Sequence, residues 1–235
     1  MRLLLISNST NPGEEYLDYP KNNIRDFLGD KPMNAIFIPY AAVTFSFEAY
    51  EEKVNSRFAE IGHHVTSIHR FINPVEAIEN ADAIVVGGGN TWQLVKMLQE
   101  KKLMKAIRKK VKKGTPYIGW SAGSNIACPT LRTTNDMPIV QPEKFKTLNL
   151  IPFQINPHYL DDNPSNHGGE TRETRINEFI EVNRNLFVVG LREGTMLLLE
   201  EKELVLMGTR NTRIFRYGED PLELSHEDDL SFLLR

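Results

Sequence analysis

The sequence predicts an α/β fold: a mostly parallel, doubly wound sheet with an antiparallel edge at its C-terminal end. Three observations carry this expectation. Short, near-continuous apolar runs recur along the chain, as strands covered on both faces require. Amphipathic helical stripes lie between them, and a strand–helix alternation builds a parallel sheet with helices on both sides. Late in the chain the helices drop out, and strand-like segments follow one another across short polar turns.

The apolar runs are Leu3–Ile6, Ala35–Pro39, His64–Ile68, Ala83–Val86, Pro116–Gly119, Leu150–Ile155 and Phe187–Leu191. Tyr50, Val54, Phe58 and Ile61 fall at i, i+4, i+8 and i+11, on one face of a helix. Leu103, Met104, Ile107 and Val111 form a second stripe, and Ile176, Phe179 and Ile180 a third. Seven lysines and one arginine between Lys101 and Lys113 leave the second stripe intact. They read as the solvated face of that helix rather than an anion-binding patch. Thr195–Glu200, Glu203–Met207 and Thr212–Tyr217 read as an antiparallel meander on the edge of the same domain. No repeat, low-complexity segment or linker interrupts the pattern, so residues 1–235 are expected to form a single domain.

Composition narrows the function classes. With 40% hydrophobic and 25% charged residues, the chain has an ordinary globular mix and is not a disordered protein. A net charge of −3 argues against a nucleic-acid partner. One cysteine, Cys128, excludes an internal disulfide and a multi-cysteine metal site, which fits a reducing compartment. The apolar run at the N-terminus is too short for a signal peptide, and no run is long enough to span a membrane. A cytoplasmic protein with no membrane partner is expected.

In doubly wound sheets, chemistry gathers in the loops that leave the carboxyl ends of the strands. Gly119-Trp120-Ser121-Ala122-Gly123 is a Gly-x-Ser-x-Gly run between an apolar strand and a helix, the context of a nucleophile elbow. Ser121 is then the candidate nucleophile, with the amide and helix N-terminus at Ala122 suited to an oxyanion. A serine hydroxyl needs a base. Of six histidines, His158 follows an apolar run through Asn156-Pro157 and is the favoured base. His167 lies in a polar loop nearby, His63, His64 and His69 flank an early strand, and His226 sits in an acidic tail. Two acids compete to orient the base: Glu193, after the run Phe187–Leu191, and Asp136, after the nucleophile helix. Both stay open at this point, as does a division of labour between them. Gly87-Gly88-Gly89-Asn90-Thr91 matches neither a dinucleotide fingerprint nor a P-loop. Its glycines admit close backbone approach, and its free amides can bind an oxyanion. Asn90 reads either as the cap of that turn or as a group facing substrate.

These motifs together resemble the peptidase E family of α-aspartyl dipeptidases. The resemblance rests on Ser7-Asn8-Ser9-Thr10, Gly87-Gly88-Gly89-Asn90-Thr91, Gly119-Trp120-Ser121-Ala122-Gly123, Thr133-Thr134-Asn135-Asp136-Met137-Pro138, Ile155-Asn156-Pro157-His158 and Gly169-Glu170-Thr171-Arg172, in that order along nearly the whole chain. It implies a flavodoxin-like, class I glutamine-amidotransferase-like fold and a cytosolic serine peptidase that cleaves α-Asp-X dipeptides without metal or cofactor. It also implies Ser121 as nucleophile, His158 as base, Glu193 as third member and Asp136 at the active site. Gly89 and Ala122 would supply the oxyanion amides, and Arg172 would face the aspartyl carboxylate. The expected partner is a small peptide substrate, and the assembly is a monomer or homodimer. Two alternatives stand beside it: a β-aspartyl peptidase of cyanophycinase type, and a non-enzymatic protein that binds acidic ligands. A cysteine amidotransferase is disfavoured, because Cys128 lies beyond the elbow.

Overall fold

The computed structural model describes residues 1–163 and 168–235. The first sheet has seven strands: β1 (Arg2–Ile6), β2 (Asn34–Ile38), β3 (His64–Ser67), β4 (Ala83–Val86), β5 (Tyr117–Trp120), β8 (Thr195–Glu200) and β9 (Glu203–Gly208), in the order β3-β2-β4-β5-β1-β8-β9. The five strands from β3 to β1 run parallel, while β8 and β9 close the edge antiparallel. Ile6 pairs with Trp120, so β1 and β5 end level with each other.

Alternate residues of each strand enter different cores, which explains the continuous apolar runs. Leu4, Ile6, Ala35, Phe37, Val85 and Ile118 pack with α1 (Lys21–Leu28) and α2 (Phe47–Ala59). Leu3, Leu5, Ile36, Ile38, Ile84 and Val86 face α3 (Pro74–Asn80), α4 (Thr91–Glu100) and α5 (Leu103–Lys112). The sheet is doubly wound, as expected. The lysine-rich helix is α5, which buries Leu103, Ala106, Ile107 and Val111 and turns most of its lysines to solvent.

A second, four-stranded sheet departs from expectation. It comprises β6 (Gln154–Tyr159), β7 (Val188–Arg192), β10 (Thr212–Phe215) and β11 (Leu222–Leu224), in the order β11-β10-β7-β6. One of its faces joins the main core through Ile155, Val189, Leu191 and Ile214. Tyr159, Val188 and Phe215 on the other face cover α7 (Arg172–Val182) through Ile176 and Ile180. The late segments therefore do not form one meander. β8 and β9 stay on the first sheet, whereas Thr212–Phe215 pairs antiparallel with the open edge of β7. Gly208, at φ +114°, redirects the chain between the two sheets.

The run Leu150–Ile155 is also displaced: the strand begins at Gln154 and continues through His158 to Tyr159. Leu150 and Ile151 are buried, but their amides donate to the Ala127 carbonyl, so they plug the end of the nucleophile helix instead of joining a ladder.

Candidate active site

Ser121 leaves β5 at φ 52° and ψ −110°, a sparsely populated conformation for a residue with a Cβ. Its surroundings hold it there. The Ser121 amide donates to the Ile6 carbonyl at 3.0 Å, and Ser124 Oγ bridges the Ile6 and Gly119 carbonyls at 2.7 and 2.8 Å. Both motif glycines are dictated by packing. A Cβ on Gly123 would sit 2.2 Å from the Val86 oxygen, and one on Gly119 2.5 Å from the Gly123 carbonyl carbon. The helix that follows, α6 (Ala122–Asn125), has only four residues. The expected helix dipole is therefore small, and the free amide at Ala122 is what remains for an oxyanion.

His158 lies within β6, not in a loop beyond it, at a bulge where the register with β7 shifts and φ is 54°. The bulge turns its ring toward the elbow. His158 Nε2 is 2.9 Å from Ser121 Oγ, and Nδ1 is 2.6 Å from Glu193 Oε1. Glu193 occupies the two-residue turn where the chain passes from β7 of the second sheet to β8 of the first. Gly194 closes that turn at φ +80°, and its amide donates to Asn8 Oδ1 at 2.9 Å. The site thus sits on the seam between the sheets.

Asp136 stands elsewhere. Its Oδ2 accepts from the Thr91 amide (2.7 Å), Thr91 Oγ1 (2.6 Å) and Thr134 Oγ1 (2.9 Å), at the start of α4. Of the two acids, Glu193 bonds to the His158 ring, whereas the bonds of Asp136 go to Thr91 and Thr134. Asp136 still lines the cleft of about 590 Å³ that holds Ser121, His158, Gly88 and Gly89. Tyr16, Phe45, Tyr50 and Trp120 give this cleft an aromatic wall.

Asp136 also borders an adjoining cavity of about 140 Å³ that contains Arg172, Arg175, Asn135 and Asn156. Arg172 is half-buried at the first position of α7. Burial lowers its pKa, with Arg175 adding to the effect and Asp136 opposing it. The nearby carboxylates of Glu170 and Glu173 engage Arg175 and Arg213 instead. Asn90 caps α4 by accepting the Gln93 amide at 3.1 Å, and its Nδ2 donates to the Met137 carbonyl at 2.9 Å. Those bonds give it a structural task in the glycine turn. Gly89 is exposed beside the elbow at φ +132°, where a Cβ would lie 2.3 Å from the Ala41 oxygen.

The other histidines lie apart: His63 accepts the Met33 amide and His69 contacts Ser67. His167 lies outside the described residues. Cys128 is buried, accepts the Ile155 amide at 3.1 Å, and its thiol is pushed up to about 12 by burial. No helix among the described residues is long and apolar enough to cross a membrane.

Sequence reasoning places Ser7 and Asn8 in a motif without giving them a role, and Tyr50 on a helical core stripe. Ser7 and Asn8 are almost fully buried polar residues directly after an apolar strand, and that placement was the available signal. Tyr50 carried none, because its ring fits a core stripe.

The fold is shared with solved structures of low sequence identity. A peptidase from an acI-B1 actinobacterium superposes with a TM-score of 0.70 at 17% identity, covering 98% of this chain and 96% of that one. A Listeria monocytogenes protein superposes with a TM-score of 0.66 at 22% identity, covering 88% and 98%. Sequence relatives are much nearer. Peptidase E of Nostoc sp. is 52% identical over 233 residues, 99% of this chain and 96% of its own length. Peptidase E of Shigella flexneri is 48% identical over 228 residues, 96% and 99%. The description "Peptidase family S51" matches residues 3–207. With its elbow, its histidine and nearly its whole length inside these matches, the chain belongs to peptidase family S51.

Proposed function

We propose that this protein hydrolyses dipeptides whose first residue is α-linked aspartate, through an acyl-enzyme on Ser121. Membership of the family makes it a serine-type dipeptidase. The observation that carries the residue roles is the continuous relay from Ser121 Oγ through His158 to Glu193, at 2.9 and 2.6 Å.

Neutral His158 takes the Ser121 proton at Nε2 as Oγ attacks the aspartyl carbonyl. The amides of Gly89 and Ala122 receive the negative charge that develops on the carbonyl oxygen. Glu193 fixes the ring through Nδ1–H and balances the imidazolium that forms. His158 then protonates the leaving amine, the C–N bond breaks, and the second residue departs. A water molecule gives its proton to His158 and attacks the ester carbonyl; His158 then returns that proton to Ser121 Oγ as the Oγ–C bond breaks and aspartate leaves.

Substrate charge is met locally, so the protein's slightly acidic balance is no obstacle. Arg172 suits the aspartyl side-chain carboxylate, a planar anion for a planar fork of donors. Asp136 uses Oδ2 for its protein bonds, which leaves Oδ1 for the substrate ammonium.

The test is release of leucine from α-Asp-Leu, β-Asp-Leu, Ala-Leu and Glu-Leu by the protein and its Ser121→Ala variant. Cleavage of α-Asp-Leu, lost by several orders of magnitude in the variant, is the expected result. Preference for β-Asp-Leu would overturn the substrate assignment, and near-normal activity in Ser121→Ala would overturn the mechanism.

A further inference from the structure

Tyr50 lies on α2, 4% exposed, with its hydroxyl against the glycine turn. That hydroxyl has three neighbours. The Gly88 carbonyl oxygen is at 3.0 Å, Trp120 Nε1 at 3.2 Å and the Tyr16 hydroxyl at 3.3 Å. The chemistry of these groups fixes every hydrogen. A carbonyl only accepts and an indole N–H only donates, while a phenol donates one hydrogen and accepts through two lone pairs. Tyr50 must therefore give its one hydrogen to Gly88. Its lone pairs take the hydrogens of Trp120 and Tyr16.

The Gly88 carbonyl and the Gly89 N–H belong to one peptide unit. The unit is planar and trans, so its oxygen and its hydrogen point in opposite directions. Whatever holds the oxygen aims the hydrogen. The next peptide unit is constrained as well, since the Asn90 amide donates to the Ala41 carbonyl at 2.9 Å. Gly88 also packs on the elbow: a Cβ there would lie 3.1 Å from Ser121 Cβ. Gly87 gives the tyrosine its room, because a Cβ there would meet the Tyr50 oxygen at 2.6 Å.

We propose that Tyr50 is a positioning residue for the oxyanion hole: by donating to the Gly88 carbonyl it fixes the peptide that presents the Gly89 N–H to the reacting carbonyl. The inference rests on the peptidase reading above and deepens it. Donation into the carbonyl also polarises the shared amide and makes the Gly89 N–H a stronger donor, since hydrogen bonds in a chain reinforce one another. Trp120 and Tyr16 act one step further back, by leaving the Tyr50 hydrogen no other direction.

The variant Tyr50→Phe removes the hydroxyl and keeps the ring. Its kcat for α-Asp-Leu should fall by about 10-fold or more, short of the roughly 10²–10³-fold loss of deleting an oxyanion donor, with KM changed less than about twofold. A parallel binding measurement separates positioning from general damage. The boronic acid analogue of aspartate becomes tetrahedral on Ser121 and places a boron-bound oxygen at the oxyanion position, whereas free L-aspartate does not. Tyr50→Phe should weaken the boronate by the same factor as kcat and leave L-aspartate unchanged. Equal loss of both ligands, or an unchanged kcat, would overturn the proposal.

If the phenylalanine variant does not fold, 3-fluorotyrosine at position 50 supplies the test. It retains the hydroxyl as a stronger donor, so the Gly89 amide proton should move downfield in the NMR spectrum, and an unmoved resonance would overturn the proposal. This readout needs no turnover, so failure of the peptidase reading and failure of the Tyr50 relation are told apart.

Discussion

Ser7 holds His158 by its backbone: Ser7 Oγ accepts the His158 N–H at 3.0 Å and donates to the Leu191 carbonyl at 2.8 Å. The Ser7 amide in turn donates to the Thr195 carbonyl at 3.0 Å. One residue at the end of β1 thus ties together the elbow strand's neighbour, the bulge of β6 and both sides of the Glu193 turn. Since Ser7 is fully buried, no water replaces these bonds when they are removed.

Ser7→Ala leaves the His158 N–H and the Leu191 carbonyl without partners. Each unmet buried group costs about 1–3 kcal/mol. At about 2–4 °C per kcal/mol for a chain of this size, the melting temperature should fall by several degrees. Turnover should fall about 10-fold even where the variant is fully folded, because a positive φ at His158 is not kept without its tether. Thermal melts beside kcat measurements below the transition check both parts. An unchanged kcat would show that the bulge holds His158 without help from Ser7.

Glu193 and Asp136 should separate cleanly on mutation. Glu193→Gln removes the charge that faces the imidazolium and allows the wrong ring tautomer, an effect that reaches about 10⁴-fold in kcat in the chymotrypsin triad. A loss of at least 10²-fold is expected here, with KM little changed. Asp136→Asn keeps an acceptor for Thr91 and Thr134 but removes the charge proposed to meet the ammonium. Its effect should therefore fall on KM for α-Asp-Leu more than on kcat. The reverse pattern would return Asp136 to the role of orienter.

Much of this was legible because local pattern and tertiary demand agree. Leu3–Ile6, Ala35–Pro39 and Ala83–Val86 read as strands since both faces of the first sheet are covered, and they lie within a residue or so of β1, β2 and β4. Leu150–Ile155 misled because burial alone made its first residues apolar: the amides of Leu150 and Ile151 donate to the Ala127 carbonyl just beyond α6, and only Gln154 and Ile155 join the ladder. The second sheet was illegible for a related reason. β7 and β8 are separated by only two residues, which looks like a hairpin, yet they pair in different sheets. Ser121, His158 and Glu193, which the fold brings within hydrogen-bond distance, could be picked out because reactive types follow apolar runs. Ser7 and Tyr50 act on residues 151 and 38 positions away, and no local pattern encodes such contacts.

Stability should also depend on pH through the Glu193 corner. Arg192, next to Glu193, bonds through Nε to Asp161 Oδ2 at 2.9 Å and through Nη1 to Glu223 Oε2 at 2.9 Å. The bond to Arg192 holds the Asp161 carboxyl below its ordinary value, while partial burial opposes the shift. A carboxyl whose folded pKa lies below the unfolded value, about 3.9, stabilises the protein above that value. The contribution is lost as pH falls through the folded pKa. The urea midpoint of the wild type should thus exceed that of Asp161→Asn at neutral pH, by a constant margin down to about pH 5, and the two should converge in more acid solution. Because Asp161 is about half exposed, the margin should also shrink in high salt. A margin that widens on acidification would contradict this account.

Arg172→Met gives the sharpest test of substrate charge. In the free protein the guanidinium is half-buried, its pKa is lowered by burial and by Arg175, and the glutamates beside it serve other arginines. Such a site is poised for an anion, and an uncharged side chain would leave the cation desolvated and unmatched. The wild type should therefore prefer α-Asp-Leu to Asn-Leu by roughly 10³-fold or more in kcat/KM, somewhat below the roughly 10⁴–10⁵-fold of sites whose polar groups go wholly unpaired, because the asparagine amide still offers one acceptor oxygen. In Arg172→Met the preference should collapse to about 10-fold or less, chiefly through loss of α-Asp-Leu cleavage, with folding preserved because the side chain bears no ion pair among the described residues. Lysine at the same position should restore only part of the difference: it returns the charge without the planar fork that grips both carboxylate oxygens. If Arg172→Met kept full discrimination, the aspartyl carboxylate would have to be read by the main cleft, and Lys53 on its rim would be the cation to replace next.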